Sequence, residues 1–575
     1  LKVTIKKGKI TAGLLVLIAM SATAYIDDYL AAAIVGWMMV IGESIEDITL
    51  ERTRNAVKEL ITLTPSTAVV FRGNDWVALP LTEIRKGDKV LVKPGERISV
   101  DGLVISGISA VNEASITGES MPTDKIEGDQ VFAGTINQSG ALEIRVEKVG
   151  ADTTLGKIIQ VLKKAQDNKG GRQRTADKFA VYFTPLILTL AVLVYGLTGE
   201  LIRSITVLVI ACPCALVLAT PTAVVASVGN AARKGVLIKG GITLETAAQL
   251  TIVLFDKTGT LTRGKPTVVD IKTTGDNNYN DLLSCAASVE ERSEHPIAAA
   301  IIKKADELGI ALQSAEKFTI EVGCGIEAFV NGKKVKVGNE KISNGLSDEL
   351  KNYFANRKNR GETVLLVSVN DSIIGAISIA DIVRDEAGDV VYSLKEKGIK
   401  NIMLTGDNLA TAEVIAGKTG IVDFRSDLLP EDKLDVVRRL QEQGEVVAMV
   451  GDGINDSPAL ALADVGIAMG AAGTHAAIEA SDIALMGDNL MILPEVLELS
   501  RKSLQIIKQN IWVFAVGINI VGIVLSSLGN LTPIMAAIIH NLSSIAVVAN
   551  SARLLTYKSA SKGDDSVLSI DCGCR

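Results

Sequence analysis

The sequence predicts an α-helical membrane domain joined to two soluble units, one β-rich and one a doubly wound α/β domain with an α+β insertion. Three observations predict it. Six apolar segments come near the ~20 residues needed to cross a bilayer. The stretch 50–178 is rich in Val, Ile and Gly with turn signals such as Pro94-Gly95, the pattern of short strands. The stretch 229–500 alternates apolar runs with helical stretches, as strands buried between helix layers do.

In chain order, 1–49 reads as a first membrane hairpin, with spans near Ile10–Tyr25 and Tyr29–Gly42. The β-rich unit, 50–178, follows. A second hairpin, 179–228, has spans near Phe179–Leu197 and Ile205–Val228. The α/β unit is divided into 229–264 and 376–500 by an insertion, 265–375. A third hairpin, 501–555, precedes a tail, 556–575. Each hairpin closes on a short linker, and Arg203 is the only Lys or Arg among the three. The opposite ends are basic: Lys2, Lys6, Lys7, Lys9, Arg52 and Arg54, then Arg233, Lys234, Arg501, Lys502, Lys508, Arg553 and Lys558. That asymmetry puts both termini and both large loops in the cytosol.

Hydrophobic residues make up 48%, which fits a membrane protein with soluble parts. The net charge of −7 is spread without long runs and gives a nucleic-acid role no support. Six cysteines over this length do not form a disulfide framework. No signal-peptide pattern is present, and the first residue is Leu1, which reads as a trimmed start.

The chemistry centres on Asp256-Lys257-Thr258-Gly259-Thr260-Leu261-Thr262, which follows the apolar run Thr251–Phe255. An aspartate at the carboxyl end of a buried parallel strand is placed to react, and it can hold a phosphoryl group as an acyl phosphate. Further on come Thr405-Gly406-Asp407, Lys433 after Pro430-Glu431-Asp432, and Gly451-Asp452-Gly453-Ile454-Asn455-Asp456. These supply a hydroxyl, a cation and carboxylates suited to Mg²⁺. Each alone is an ordinary turn; their order after the first motif gives them meaning.

The ordered set resembles the catalytic domain of P-type ATPases. The resemblance implies a haloacid-dehalogenase-like (HAD-like) phosphorylation domain, a nucleotide-binding insertion and a β-rich actuator domain. It makes Asp256 the phosphorylated residue, with ATP as substrate. It implies Mg²⁺ at Asp256, Thr258, Asp452 and Asp456, and phosphate held by Lys433 and Thr405. Thr117-Gly118-Glu119-Ser120 is a surface turn by itself; by resemblance, Glu119 positions the hydrolytic water. In the insertion, Glu290, Ser293-Glu294-His295-Pro296, Gly323-Cys324-Gly325 and Gly338-Asn339 resemble the nucleotide site of the heavy-metal (type IB) branch. His295 would contact adenine, although His-Pro also suits a plain helix start. Gly323, Gly325 and Gly338 would let the backbone, with Asn339, approach the nucleotide.

Cys212-Pro213-Cys214 lies in the fourth span. Two small core cysteines is one reading. The resemblance to the Cys-Pro-Cys class of type IB pumps, covering nearly the whole chain, makes them ligands for a transported transition-metal ion. Asn519 in the fifth span, and His540, Asn541, Ser543 and Ser544 in the sixth, would complete the site. Copper(I) members carry tyrosine where this chain has Ile518 and methionine where it has His540. Zinc-type members use a lysine and an aspartate that these spans lack. Imidazole in place of a thioether makes the site harder, so a divalent first-row metal is expected, manganese first, then zinc, iron or cobalt; copper(I) is the alternative. Glu43 and Glu46 read equally as metal acceptors or as interfacial charges. Cys572 and Cys574 read as an incidental tail pair or as a metal site.

The resemblance implies a multi-pass protein of a prokaryotic plasma membrane with cytosolic catalytic domains. It also implies a segment ahead of Leu1 and leaves a metal donor protein open as a partner. Membrane-tethered phosphohydrolase and metal sensor are the competing classes.

Overall fold

The computed structural model describes residues 12–25, 27–30, 32–38, 40–41, 44, 65, 67–113, 116, 122–157, 159–160, 171–275, 277–293, 296–321, 324–342, 346–452, 456–470 and 475–558. Glu43, Glu46, Glu119, His295, Gly323, Cys572 and Cys574, all singled out above, lie outside the described residues.

The membrane part is built from helices α1 (Ala12–Tyr25), α2 (Gly171–Thr198), α3 (Leu201–Ile210), α4 (Cys214–Arg233), α5 (Ile492–Gln509), α6 (Ile518–Ser527) and α7 (Pro533–Ala552). Among the described residues, three helical runs are long and apolar enough to span a bilayer: Leu201–Arg233, Ile492–Ser527 and Pro533–Thr556. Pro185–Thr198 is a shorter apolar helix. The fourth span differs from expectation in two ways. It begins at Leu201, because only Gly199 and Glu200 separate it from α2, Gly199 taking the left-handed turn at φ +71°. It also breaks at Ala211–Pro213. Pro213 has no N–H to continue the ladder, and its carbonyl instead accepts from Leu216 and Val217, which starts α4. The fifth span extends past its expected start, α5 running continuously from the soluble side.

The short early segments are held by packing. Ala19 of α1 and Val35 are buried with Ile205, Val209 and Ile210 of α3 and with Ala536 and Ala537 of α7. Burying small side chains lets helix backbones approach closely, the main source of helix association in lipid.

The unit at 67–148 contains a six-stranded sheet in the spatial order Asp75–Pro80, Thr67–Arg72, Lys89–Val92, Leu142–Lys148, Asp101–Ser106, Gln130–Val131. Its alternating apolar face, including Val70, Val90, Val104 and Ile144, forms one core. Asp101 is fully buried there. Its carboxylate accepts from Ala133 N at 2.8 Å, Thr154 N at 2.6 Å and Thr154 Oγ1 at 2.9 Å.

The large unit holds a seven-stranded sheet ordered Val236–Ile238, Ile483–Leu485, Val465–Ala468, Val447–Gly451, Ile252–Asp256, Lys400–Leu404, Asp423–Arg425. Only Val236–Ile238 runs antiparallel. Strand Ile252–Asp256 is central, apolar on both faces and covered by two separate cores. Later strands add on either side of it, so its carboxyl end is a topological switch point, the usual site of chemistry in such sheets. The insertion is a six-stranded antiparallel sheet, entered by Thr262–Thr273 and left by Ser372–Val383, which pair with each other. The expected limits at 265 and 375 fall inside these two strands.

Truncating Asp101 leaves three buried donors without an acceptor. Asp101→Ala should cost about 2–4 kcal/mol locally. Hydrogen exchange over 98–157 in the full chain should rise, and Asp101→Asn should lose less.

Candidate functional site

Strand Ile252–Asp256 delivers Asp256 to the switch point with 7% of its surface exposed. The chain then turns sharply. Thr258 N donates to Asp256 Oδ2 at 3.0 Å, and Gly259 takes φ +72° beside Asp452. Lys433, in the first turn of helix Pro430–Glu442, donates to Asp256 Oδ1 at 2.6 Å and to Asp456 Oδ1 at 2.7 Å. Thr405 follows the neighbouring strand end, paired as Asp256 with Leu404, and its hydroxyl accepts from Asp407 N at 3.0 Å. Asp456 is buried against Gly451, where a Cβ would lie 2.9 Å from Asp456 Oδ2.

Burial first, and then the charges of Asp456 and Asp452, push the Asp256 carboxyl up to about 6, while Lys433 pulls it back. Burial tends to lower Lys433, but Asp256 and Asp456 raise it overall. Lys433 answers the carboxylates of Asp256 and Asp456, with that of Asp452 near Asp256, an oxygen-rich set that fits a hard divalent cation such as Mg²⁺.

Sequence reading passed over two supports. Lys257 pairs with Asp407 at 2.6 Å, tying the Asp256 loop to the Thr405 loop. Arg384 is buried and donates to the carbonyls of Thr260 and Gly259, and to Asp488 through both its carbonyl and Oδ1. A charged residue three positions after Asp381, itself bonded to Thr262, was the available signal.

In the insertion, Glu290 is buried at the end of helix Tyr279–Glu290. Gly325 and Gly338 face each other across paired strands. A Cβ on Gly325 would meet Val337 O at 2.2 Å, and one on Gly338 would meet Cys324 O at 2.3 Å. They are expected to admit a nucleotide, and close strand pairing independently leaves no room for a Cβ at either. Asn339 N donates to Cys324 O at 2.9 Å.

At the helix break, one ligand atom each of Cys212, Cys214 and His540 lies within 4.8 Å of the others. The cysteine sulfurs are in direct contact. Asn519 Nδ2 donates to Cys212 O at 3.4 Å. Among the described residues, Asn519 Oδ1, His540 Nδ1 and Ser544 Oγ are buried without a protein partner. Two expected ligands are turned elsewhere. Asn541 donates to Met38 O at 2.8 Å, because the next helical position after His540 points about 100° away. Ser543 donates to His540 O at 2.7 Å, the back-bond a serine makes to its own helix.

Comparison with known proteins places this geometry. Residues 62–163 match the P-type ATPase actuator domain, and 250–464 match haloacid dehalogenase-like hydrolase. A probable cadmium-transporting ATPase of Staphylococcus aureus (strain MRSA252) is 42% identical over 562 residues, 95% of this chain and 77% of that protein. A copper-exporting P-type ATPase of Staphylococcus aureus (strain JH9) is 41% identical over 541 residues, 91% of this chain and 66% of that protein. The crystal structure of a zinc-transporting PIB-type ATPase in an E2·Pi state aligns with TM-score 0.65 and 35% identity, covering 96% of this chain and 92% of that one.

Fold and site together define an ATP-hydrolysing membrane transporter with HAD-like and actuator domains. The chain belongs to the P-type ATPases, in the heavy-metal (type IB) branch.

Two expectations follow. Lys433→Ala leaves Asp256 facing two carboxylates, so phosphorylation from labelled ATP should fall by about 10²-fold. Burial lifts the Glu290 carboxyl to about 7, with a bond from Ser293 opposing. Its proton is therefore held more tightly folded than unfolded, and the stability it contributes is lost as pH rises through about 7. Thermal stability of the wild type should fall from about pH 5 to pH 7 and level off above, and Glu290→Gln should flatten that slope.

Proposed function

We propose that the chain exports a divalent transition-metal ion from the cytosol of a prokaryotic cell across its plasma membrane, driven by ATP through an acyl phosphate on Asp256. The carrying observation is the convergence of Cys212, Cys214 and His540 within 4.8 Å at a broken membrane helix, in a molecule whose Asp256 is held by Lys433 at 2.6 Å. The basic flanks of the membrane segments support a cytosolic position for the soluble units.

ATP binds the insertion through Glu290, His295 and the segment Gly323, Gly325, Gly338 and Asn339. A carboxylate oxygen of Asp256 attacks the γ-phosphorus. The new O–P bond forms as the bond to the β-γ bridging oxygen breaks, and ADP leaves with that electron pair. Lys433 and Thr405 hold the phosphoryl oxygens. Asp256, Asp452, Asp456 and the backbone at Thr258 would hold Mg²⁺, which neutralises phosphate charge when bound. Glu119 orients the water that later attacks phosphorus and releases Asp256. The ion at Cys212 and Cys214 biases which of these half-reactions proceeds, and phosphorylation in turn biases the helices that hold it.

His540 in place of a thioether put manganese first among the expected metals. With Asn541 and Ser543 turned away, two sulfurs and an imidazole dominate the donor set, which weighs toward zinc or cadmium. The cadmium- and zinc-transporting relatives agree with that weighting. Manganese and copper(I) become its rivals.

Phosphoenzyme formation in the full chain should be supported by Zn²⁺ or Cd²⁺ more than by Mn²⁺ or Cu⁺, and Cys212→Ser should abolish it. Support by Cu⁺ alone would overturn the divalent reading. ATPase activity indifferent to Cys212→Ser would make the chain a tethered phosphohydrolase.

A further inference from the structure

Between α5 and α6 the helix does not run as an α-helix. Asn510–Gly517 is a π-helical segment of 8 residues. Such wide turns are rare and tend to mark functional positions. Both ends of this one are defined. At the start, the Asn510 amide donates to Ser551 Oγ at 2.8 Å, and Ser551 shares a 2.9 Å hydrogen bond with Thr222 Oγ1. Asn550 Nδ2 donates to Asn510 Oδ1 at 2.9 Å. Asn510, Ser551 and Thr222 are buried, so this knot ties α4, α7 and the segment together inside the membrane part. Just past its end, Asn519 donates to Cys212 O while its own Oδ1 is unpartnered. Beside it lies a cavity of about 50 Å³ lined by Pro213, Ala515, Val516, Asn519 and others.

We propose that residues 510–517 are a register switch that swings Asn519 onto and off the ion site. The inference rests on the reading that the ion sits at Cys212, Cys214 and His540. With the knot fixing one end, tightening the segment to an α-helix advances everything beyond it by about one residue, about 100°. Ile518 then replaces Asn519 at Cys212 O, and Val521 replaces Gly522. Gly522 packs so tightly on α3 that a Cβ there would sit 2.4 Å from Ile210 Cγ1. Val521 cannot occupy that place, so α3 and α6 must part, and the cavity gives the moving side chains room. A polar ligand is withdrawn and the helices around the ion are separated in one motion. Gly517 suits the wide turn, since a Cβ there would lie 3.1 Å from Trp512 O.

The test uses the full chain with a benzophenone amino acid at Val521, a side chain now 58% exposed. With Zn²⁺ bound and no ATP it should not label α3; in the enzyme trapped with a phosphate analogue it should cross-link within 201–210. Gly517→Ala, which disfavours the wide turn, should weaken Zn²⁺ binding about fivefold, the worth of one hydrogen bond, with ATP binding unchanged. Equal labelling in both states, or wild-type Zn²⁺ affinity in Gly517→Ala, overturns the switch. Retained Zn²⁺ binding in Cys212→Ser would instead overturn the site reading beneath it.

Discussion

Charge compensation at Asp256 is the constraint on which the rest of the soluble structure depends. A carboxylate that is to act as a nucleophile must be ionised, yet Asp256 is buried and faces Asp452 and Asp456. Lys433 answers both Asp256 and Asp456 with one ammonium. That requires helix Pro430–Glu442 to start beside the sheet's switch point, and it requires the Asp256 and Thr405 loops to hold still. Lys257–Asp407 and the Arg384 bonds to the Asp256 loop do that holding. An oxygen-rich set of this kind suits a divalent cation, which on the proposed reading would arrive with the phosphoryl group.

The membrane part solves the inverse problem. There the polar groups are few, and each one exposed to hydrocarbon would be costly. Pro213 breaks the helix and frees backbone carbonyls, one of which, that of Cys212, is taken by Asn519. Among the described residues, the partnerless buried atoms of the membrane helices include hydroxyls such as those of Thr220, Ser526 and Ser544, and also Asn519 Oδ1 and His540 Nδ1, which lie on residues of the candidate ion site. Unpaired polar atoms in a dry interior are destabilising unless something occupies them part of the time. The imidazole nitrogen and the amide oxygen are the two of these closest in kind to metal donors, which is why the proposed site is drawn around them.

Much of this was legible from the chain, because the informative residues are bound to local pattern. A strand must end where Asp256 begins the loop, and Pro213 must interrupt a helix whatever surrounds it. The fold class and the family followed from such features. What the sequence hid depends on helical phase and long-range packing. Asn541 sits beside His540 in sequence but about 100° away around the helix, where Met38 O receives it. Gly325 and Gly338 have a second reason to be glycine that the sequence does not show, since a Cβ on either would strike the paired strand or its flanking backbone. Arg384 gives no sign in isolation that four acceptors converge on it.

The wide turn at 510–517 was equally invisible, since its residues are ordinary helix and membrane types. It gains meaning only from what bounds it: a polar knot on one side, a ligand candidate and a close glycine contact on the other. Rigid helices transmit rotation poorly through a compliant medium, but a clamped helix whose register can change by one residue transmits it fully to everything beyond. The soluble unit is bonded to α5, Lys397 Nζ donating to Glu498 Oε2 at 2.9 Å and Arg501 Nη1 to Lys397 O at 3.0 Å, and α5 runs unbroken into that clamp. On the proposed reading, a covalent change at Asp256 needs no direct path to the sulfurs; it needs only to favour one of two windings of the same eight residues.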